Sequence, residues 1–404
     1  MNGLKFKIIL DIEAFTEILV FSDKERIMKI CILSNAHPTN EIRLYYKLGR
    51  SLAKIGEVHL ICASGVCNSL VNPYQDVTEA DSKWGILFQL YKKAKKIHPD
   101  VVICVEPLTL LVGLALKRKI KCKVVFDIHE FYPDAFSEKF TLPFKWLMKS
   151  IYLGLERSLQ SKVDGTIAVN EQILQQLGTE PKKGEVAVIP NYPVKNVWDD
   201  SCEVPMELSN ICAMNFDLIY IGSLTPDRGI YKMLKCINIL RDEFPNLKFL
   251  IVGKFKKAAV EKNFNAMLTE YNLTAFVYYH DWISPEKIGL LLKRSKIGLW
   301  LFNPQNHRYS QAIPLKVLEY FAAGLPVVAT KTPLMYDLIE KNKFGYCSEY
   351  HSASIAEAIS RILKLDKKQY QEMSKRCMDF IENKYNWESI EPELLDLVQN
   401  LAAK

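Results

Sequence analysis

No Cys-x-x-Cys pair, no long unbroken apolar run, no short-period repeat and no low-complexity tract occurs in this sequence. Its ten cysteines are scattered. Cys31, Cys62, Cys104 and Cys212 sit within or beside apolar, strand-like stretches, where a free thiol behaves as a small hydrophobe. That pattern suits a reducing cytoplasm better than a secreted disulfide framework. No cluster of Cys and His has zinc-ligand spacing, so no metal site is expected. The first 21 residues superficially resemble a signal peptide. Asp11, Glu13 and Glu17 interrupt the apolar run, however, and no small-residue cleavage site follows. The longest other apolar stretch, 101–116, contains Glu106 and Pro107 and is too short to span a bilayer. No transmembrane helix is expected.

What is present is an α/β pattern long enough for two domains. At 404 residues the chain exceeds the size at which single cores stop growing, roughly 250–300 residues. A hydrophobic fraction of 49% with 25% charged is ordinary for a globular chain. Short runs rich in Val and Ile alternate with helical patterns. In the first half they are KICILS (29–34), EVHLIC (57–62), DVVICVE (100–106), KVVFDI (123–128), DGTIAV (164–169) and EVAVI (185–189). The second half has DLIYIG (217–222), LKFLIVG (247–253), FVYYH (276–280), IGLWLF (297–302) and PVVAT (326–330). Such runs suit parallel strands buried on both faces. Periodicity stops after Asn191-Tyr192-Pro193, and the polar stretch 194–215 reads as a linker. The expected architecture is α/β, two Rossmann-like parallel-sheet domains facing across a cleft. Residues 1–27 form an N-terminal extension. The first domain covers 28–198, with a C-terminal helix over 386–404 packing back on it, and the second covers 199–385.

Two segments carry chemistry. In IYIGSLTPDRGIYKML (219–234) the order is strand, tight loop, helix. Gly222 ends the strand, Ser223 follows, and Arg228-Gly229 opens the helix. A helix N-terminus offers free N–H groups and a partial positive charge to phosphate, and Arg228 adds a bidentate donor. Taken alone, this motif reads as an ordinary strand-to-helix turn. PLKVLEYFAAGLPVVAT (314–330) is more specific. Pro314 fits a helix's first turn, Leu315, Leu318 and Phe321 can face a core, and Gly324 ends the helix. Lys316 and Glu319, three apart, share one helix face. They read either as a surface ion pair or as a carboxylate placed to accept two ribose hydroxyls.

In these segments the chain resembles the family-4 glycosyltransferases of the GT-B fold. The pattern P-x-K-x-x-E-Y-x-A-x-G-x-P-V-V-A is similar to that family's donor-site signature, and Gly-Ser-Leu…Arg-Gly to its phosphate loop. FDIHEFYPD (126–134) resembles its first-domain loop facing the sugar, and IPNYP (189–193) the segment leaving that domain. The resemblance spans about residues 29–400. It implies a nucleotide-diphosphate sugar as donor and a hydroxyl, on a sugar or a lipid-linked sugar, as acceptor. It further implies that Glu319 binds the ribose, Arg228 a phosphate, and that His129 lies beside the donor sugar. Glu130 would orient that loop or touch the acceptor. Without the resemblance, His129 reads as an ordinary loop histidine.

Departures from the family pattern are as specific. The first of two glutamates common eight residues apart is Gln311 here, which keeps hydrogen-bonding capacity without charge. An arginine often found after the loop's first glycine is Ser223, and Lys316 stands close enough to supply the missing charge. No Gly-Gly turn follows the first strand, which reads SNAHPTNEIR (34–43). The implied chemistry is a retaining hexosyl transfer in which the leaving phosphate takes the acceptor's proton. Arg228, Lys316 and helix N-termini stabilise the leaving group in place of a divalent metal, and no cofactor is needed. In an inverting version a first-domain base is required, with Glu130 or Asp134 as candidates. Gln311 and Ser223 keep open a non-catalytic subunit that scaffolds a partner transferase. A sugar-nucleotide epimerase is a third reading.

Net charge is +7. Residues 28–195 hold 23 Lys and Arg against 16 Asp and Glu, so the surplus lies in the first domain. EKFTLPFKWLMKSIYLGLERSL (138–159) mixes Lys139, Lys145, Lys149 and Arg157 with Phe140, Phe144, Trp146 and Leu147. It reads as a core-facing helix with a snorkelling lysine face, or as a peripheral contact with the inner face of a cell membrane. The second would suit a lipid-linked acceptor in cell-surface polysaccharide synthesis. No nucleic-acid recognition motif accompanies the charge.

Overall fold

The computed structural model describes residues 27–129, 131–137, 140–141, 144–178, 185–195, 204–306 and 313–404. Expectations that fall on residues 1–26, Glu130, Gln311 and residues 138–139 and 142–143 lie outside the described residues. The described chain forms two compact units. One runs up to Ile189 and includes Glu393–Lys404, and the other is Pro190–Pro392.

The first unit is built on seven strands: β1 (Lys29–Pro38), β2 (Glu57–Ser64), β3 (Tyr74–Val77), β4 (Val101–Cys104), β5 (Lys123–Ile128), β6 (Gly165–Ala168) and β7 (Glu185–Val188). They pair in the order β3-β2-β1-β4-β5-β6-β7, and every pairing is parallel. Ile30 to Leu33 and all of β4 are closed to solvent, as expected of Val/Ile-rich strands covered on both faces. The principal helices between them are α1 (Ile42–Gly49, wound as a π-helix), α2 (Lys83–Ile97), α3 (Thr109–Ile120), α4 (Tyr132–Ser137), α5 (Phe144–Gln160) and α6 (Glu171–Leu177). Ser82 and Asn170 accept N–H bonds at the starts of α2 and α6, fixing where those helices begin.

The second unit repeats the plan with six strands, β8 (Phe216–Ile221), β9 (Phe249–Val252), β10 (Val277–His280), β11 (Ser295–Trp300), β12 (Val327–Thr330) and β13 (Gly345–Ser348). Their order is β10-β9-β8-β11-β12-β13, again all parallel. The principal helices are α7 (Ile230–Leu240), α8 (Ala258–Glu270), α9 (Pro285–Leu292), α10 (Leu315–Ala322), α11 (Ser352–Leu363) and α12 (Lys367–Asn383), and α13 (Trp387–Ala403) ends the chain. Apolar clusters lie on both faces of this sheet, one around Phe321 and Val327, the other around Ile237 and Ile251.

Three features differ from the sequence reading. The edge strands β3 and β13 have little apolar pattern and were not expected. Leu208 and Cys212, inside the stretch read as linker, are buried in the second unit's core through two short helical turns. The third concerns α5. Its buried residues are Glu156 and Gln160, whereas Phe144, Trp146, Leu147, Ile151 and Leu155 are exposed. The helix therefore leaves one apolar stripe outward, while Leu153 and Leu159 pack against the first unit's core. Among the described residues no helix is long and apolar enough to cross a membrane, and no group of three or more His, Cys, Asp or Glu is placed to hold a metal ion. All nine described cysteines are free.

Candidate active site

In each sheet the strand order reverses direction beside its first strand, between β1 and β4 in one unit and between β8 and β11 in the other. Ligands of open parallel sheets bind at the carboxyl ends of strands flanking such a switch point. Of the residues singled out from the sequence, His129 follows β5 in the first unit, and Gly222, Ser223 and Arg228 follow β8 in the second.

In the second unit, β8 delivers the chain to Gly222 and Ser223. The strand end is pinned from beneath, since the Ile221 N–H donates to the Tyr320 hydroxyl over 3.0 Å. Tyr320 is a fully buried α10 residue. Its ring can lie across β11 only because Gly298 has no side chain, a Cβ there standing 2.4 Å from the ring. Burial pushes the phenol well above its ordinary pKa, so it stays a neutral partner. Ser223 gives its carbonyl to the Tyr220 hydroxyl at 3.0 Å.

Arg228 closes the short helical turn Pro226–Arg228, and Gly229 then caps α7 at φ 73°, a left-handed conformation that glycine takes without strain. No side chain caps α7 at that position, so its first N–H groups have no capping side chain. The Arg228 guanidinium carbon lies 5.1 Å from the centre of the Trp300 ring at the end of β11, a cation–π distance. The buried Trp300 Nε1 has no hydrogen-bond partner among the described residues. The Asn303 N–H donates to the Asp227 carbonyl over 2.8 Å, tying the Arg228 turn to the segment after β11.

On α10, the Lys316 ammonium meets Glu319 Oε2 at 2.8 Å. Glu319 is 8% exposed, so this is no loose surface pair. Of the three residues expected to face the core, Leu318 and Phe321 are buried and Leu315 is half-buried, while Val317 and Tyr320 complete the inward face.

In the first unit the switch point holds a polar cluster that the sequence reading touched only at His129. That residue follows β5. Its Nε2 lies 3.1 Å from His37 Nε2 and 3.2 Å from the Tyr132 hydroxyl, which also donates to the Val105 carbonyl at 3.1 Å. Its Nδ1 stands 3.9 Å from Asp127 Oδ2 and has no hydrogen-bond partner among the described residues. Burial lowers the His129 pKa to about 4, against the opposing pull of Asp127. The ring is therefore neutral at neutral pH. Asp127 is engaged by Arg43, Nε to Oδ2 at 2.9 Å and Nη2 to Oδ1 at 2.7 Å, and Arg43 Nη1 donates to the Ile189 carbonyl at 3.1 Å. After β4, buried Glu106 accepts the Ser34 hydroxyl at 2.5 Å and the Asn35 N–H at 3.0 Å. Burial raises its pKa above the usual carboxylate range. His37 Nε2 lies 3.7 Å from Glu106 Oε1. Asp134 is bound by Lys149 of α5 at 2.5 Å.

His37, Arg43, Glu106 and Asp127 were thus missed. The signal for the acids was in the sequence: Asp127 interrupts KVVFDI, and Glu106 ends DVVICVE. A carboxylate in or against a buried strand requires a partner.

The family models match in two parts. The Glycosyltransferase Family 4 model covers residues 43–192, and the Glycosyl transferases group 1 model covers residues 209–387. Among curated proteins, the chitobiosyldiphosphodolichol beta-mannosyltransferase of Kluyveromyces lactis is 22% identical over 328 residues, 73% of this chain and 70% of that protein. The lipopolysaccharide 1,2-N-acetylglucosaminetransferase of Salmonella typhimurium is 24% identical over 247 residues, 59% of this chain and 62% of that protein. Among solved structures, Anabaena HepE in complex with UDP-glucose superposes with a TM-score of 0.68 at 14% identity, covering 92% of this chain and all of that one. Sucrose-phosphate synthase from Thermosynechococcus elongatus gives 0.69 at 17% identity, covering 93% of this chain and 99% of that one. At such identities the structural likeness is one of fold. With both halves of the chain matched in order, and two parallel sheets each carrying its polar residues at a switch point, the chain belongs to glycosyltransferase family 4 and has the GT-B fold.

Proposed function

We propose that this protein transfers a hexosyl group from a nucleotide-diphosphate sugar to an acceptor hydroxyl, with retention, in the assembly of a cell-surface or lipid-linked glycan. The observation that carries this reading is the pairing of Glu319 with Lys316 on the opening turns of α10. It stands in the same unit as Arg228 and the uncapped start of α7. Glu319 accepts the two ribose hydroxyls, since a carboxylate offers acceptor sites on both oxygens even with Lys316 at Oε2, and an amide does not. Arg228, Lys316, the α7 N–H groups and the backbone at Gly222 and Ser223 hold the diphosphate. They stabilise the charge that grows on it as the glycosidic bond breaks, so no divalent ion is called for. Removing one such donor typically costs about 2.7–4 kcal/mol of transition-state stabilisation. Gln311 is assigned to the donor sugar. Neutral, buried His129 is a hydrogen-bonding group for that sugar rather than a charged one, and Glu130 is assigned to the acceptor loop.

The acceptor is proposed to be a sugar carried on a lipid, met at a membrane surface through α5. Support comes from the helix itself, whose apolar stripe faces outward between Lys145, Lys149 and Arg157. It also comes from the two curated relatives, whose names describe a diphosphodolichol-linked sugar and a lipopolysaccharide as substrates.

The test is thermal unfolding of the purified protein against UDP-, GDP-, dTDP- and ADP-sugars. A ligand at about 100 times its Kd stabilises by about 2.7 kcal/mol. One nucleotide series is expected to shift the midpoint, UDP being tried first because HepE was crystallised with UDP-glucose. Folded protein that responds to none of them contradicts the donor site and favours a scaffolding subunit.

A further inference from the structure

At the amino ends of β5 and β6, the opposite ends of the strands from the switch-point cluster, α3 and α5 border a cavity of about 590 Å³. That volume lies within the range of ligand pockets, about 300–1,000 Å³. Five cations line it. Lys117 and Arg118 come from the last turn of α3, Lys121 caps that helix, Lys123 opens β5, and Lys162 stands just beyond α5.

One acid, Asp164, lies among them. Its Oδ1 holds the Lys117 ammonium at 2.8 Å, and its Oδ2 accepts the Val124 N–H at 2.9 Å. Lys117 also donates to the Lys162 carbonyl at 3.0 Å. Arg118, Lys121, Lys123 and Lys162 have no ion-pair partner among the described residues. The cavity is thus left with four uncompensated positive charges.

Basic residues at the carboxyl end of a helix complement its dipole without any ligand, and that accounts for Lys117 and Arg118. It does not account for Lys123 and Lys162, which reach the cavity from other elements. Lys121 is set in the left-handed conformation at φ 64°, a position that glycine or asparagine takes at lower cost. A lysine is held at the cavity wall against the preference of its own backbone.

We propose that this cavity takes the phosphate headgroup of an anionic phospholipid, beside the apolar stripe that α5 lays on the membrane. This rests on the reading of α5 as a membrane contact and adds a defined headgroup site at its carboxyl end. The occupant follows from the apolar part of the lining. Leu111, Leu114 and Leu159 belong to the same cavity, and Leu111 is exposed. Leu159 continues the row Leu147, Ile151, Leu155 at four-residue spacing, which on a helix is one face. A soluble phosphate ester gains little from such a wall. A phospholipid uses both parts: its phosphate meets the cations while its glycerol and first methylenes lie against the leucines. Apolar burial there adds to the electrostatic attraction.

The experiment is co-sedimentation of the full chain with vesicles of phosphatidylcholine alone and of phosphatidylcholine mixed with phosphatidylglycerol, at one salt concentration. Wild type is compared with two triple variants. Arg118→Gln with Lys121→Gly and Lys162→Gln strips the cavity. Lys83→Gln with Lys92→Gln and Lys96→Gln removes the same charge from exposed lysines of α2, outside the cavity. Because Lys121→Gly also relieves the left-handed strain, the cavity variant should unfold no lower than wild type. Binding to the phosphatidylglycerol vesicles is expected to fall about tenfold or more in the cavity variant and to stay within about threefold in the α2 variant. Equal losses in the two variants overturn the headgroup site and leave the α5 contact standing. A wild type that binds neither kind of vesicle overturns the membrane reading of α5 and takes the site with it. Glycerol 3-phosphate is titrated in parallel without vesicles. A saturable rise in the unfolding midpoint of wild type, absent from the cavity variant, overturns the lipid assignment in favour of a soluble phosphate ester.

Discussion

Arg43 and Asp127 form a two-point ion pair closed to solvent, with side chains 4% and 0% exposed. It joins α1 to β5, and through Arg43 Nη1 also reaches the Ile189 carbonyl at the end of the first sheet. Deleting one partner of a buried pair strands the other charge, which costs about 3–5 kcal/mol, whereas replacing both with apolar groups of similar volume is often neutral. Asp127→Asn and Arg43→Met are each expected to lower stability by about that amount in denaturant unfolding, and Arg43→Met with Asp127→Leu by much less. Equal losses in singles and double would show that packing, not charge, holds this corner.

The stability of the first unit should depend on two buried groups of opposite sense. Burial pushes Glu156 from 4.5 up to about 8, so between those values the folded chain holds a proton that the unfolded chain has released, and stability falls as pH rises. His129 is lowered from 6.5 to about 4, so in that window the unfolded chain holds the extra proton and stability rises with pH. The two oppose each other from about 4.5 to 6.5, and Glu156 acts without that opposition from 6.5 to 8. Unfolding free energy should drop by about 1–2 kcal/mol across that upper window. In Glu156→Gln the drop should be absent, and the variant should be the more stable protein at pH 8. An unchanged slope would mean that Glu156 is not shut off from water.

Tyr320 supports the strand end that leads to Gly222 and Ser223. Tyr320→Phe keeps the ring and strands the buried Ile221 N–H, a loss of about 1–3 kcal/mol. Because that N–H immediately precedes Gly222, nucleotide affinity should weaken as well. Full affinity in a destabilised Tyr320→Phe protein would separate the loop's position from this bond.

The outward stripe of α5 predicts binding to anionic lipid. In co-sedimentation, wild type should bind vesicles containing phosphatidylglycerol, and bind less as salt rises, because exposed charge pairs are screened. Trp146→Ala with Leu147→Ala should bind several-fold less while unfolding at the same midpoint, both side chains being exposed. Equal binding of wild type and variant would point to charge alone.

Most of the fold could be read from periodicity, because buried parallel strands write themselves as Val/Ile runs. The exceptions were β3 and β13, edge strands with too few apolar residues to signal burial. In the second unit, Lys316 and Glu319 were legible as a pair from their spacing. That Trp300 lies under Arg228 was not, since 72 residues separate them. The cluster at the first switch point was hidden for the same reason. Ser34, His37, Arg43, Glu106 and Asp127 belong to three separate segments, and only the strand order brings them together.

The most direct test of the account is a calorimetric titration of UDP, and of GDP in parallel, into wild type and Glu319→Ala. The account predicts saturable binding of one nucleotide to wild type and at least a tenfold weaker Kd in the variant, with an unchanged unfolding midpoint in the absence of ligand. Equal affinity in the two proteins would contradict the placement of the donor site on α10.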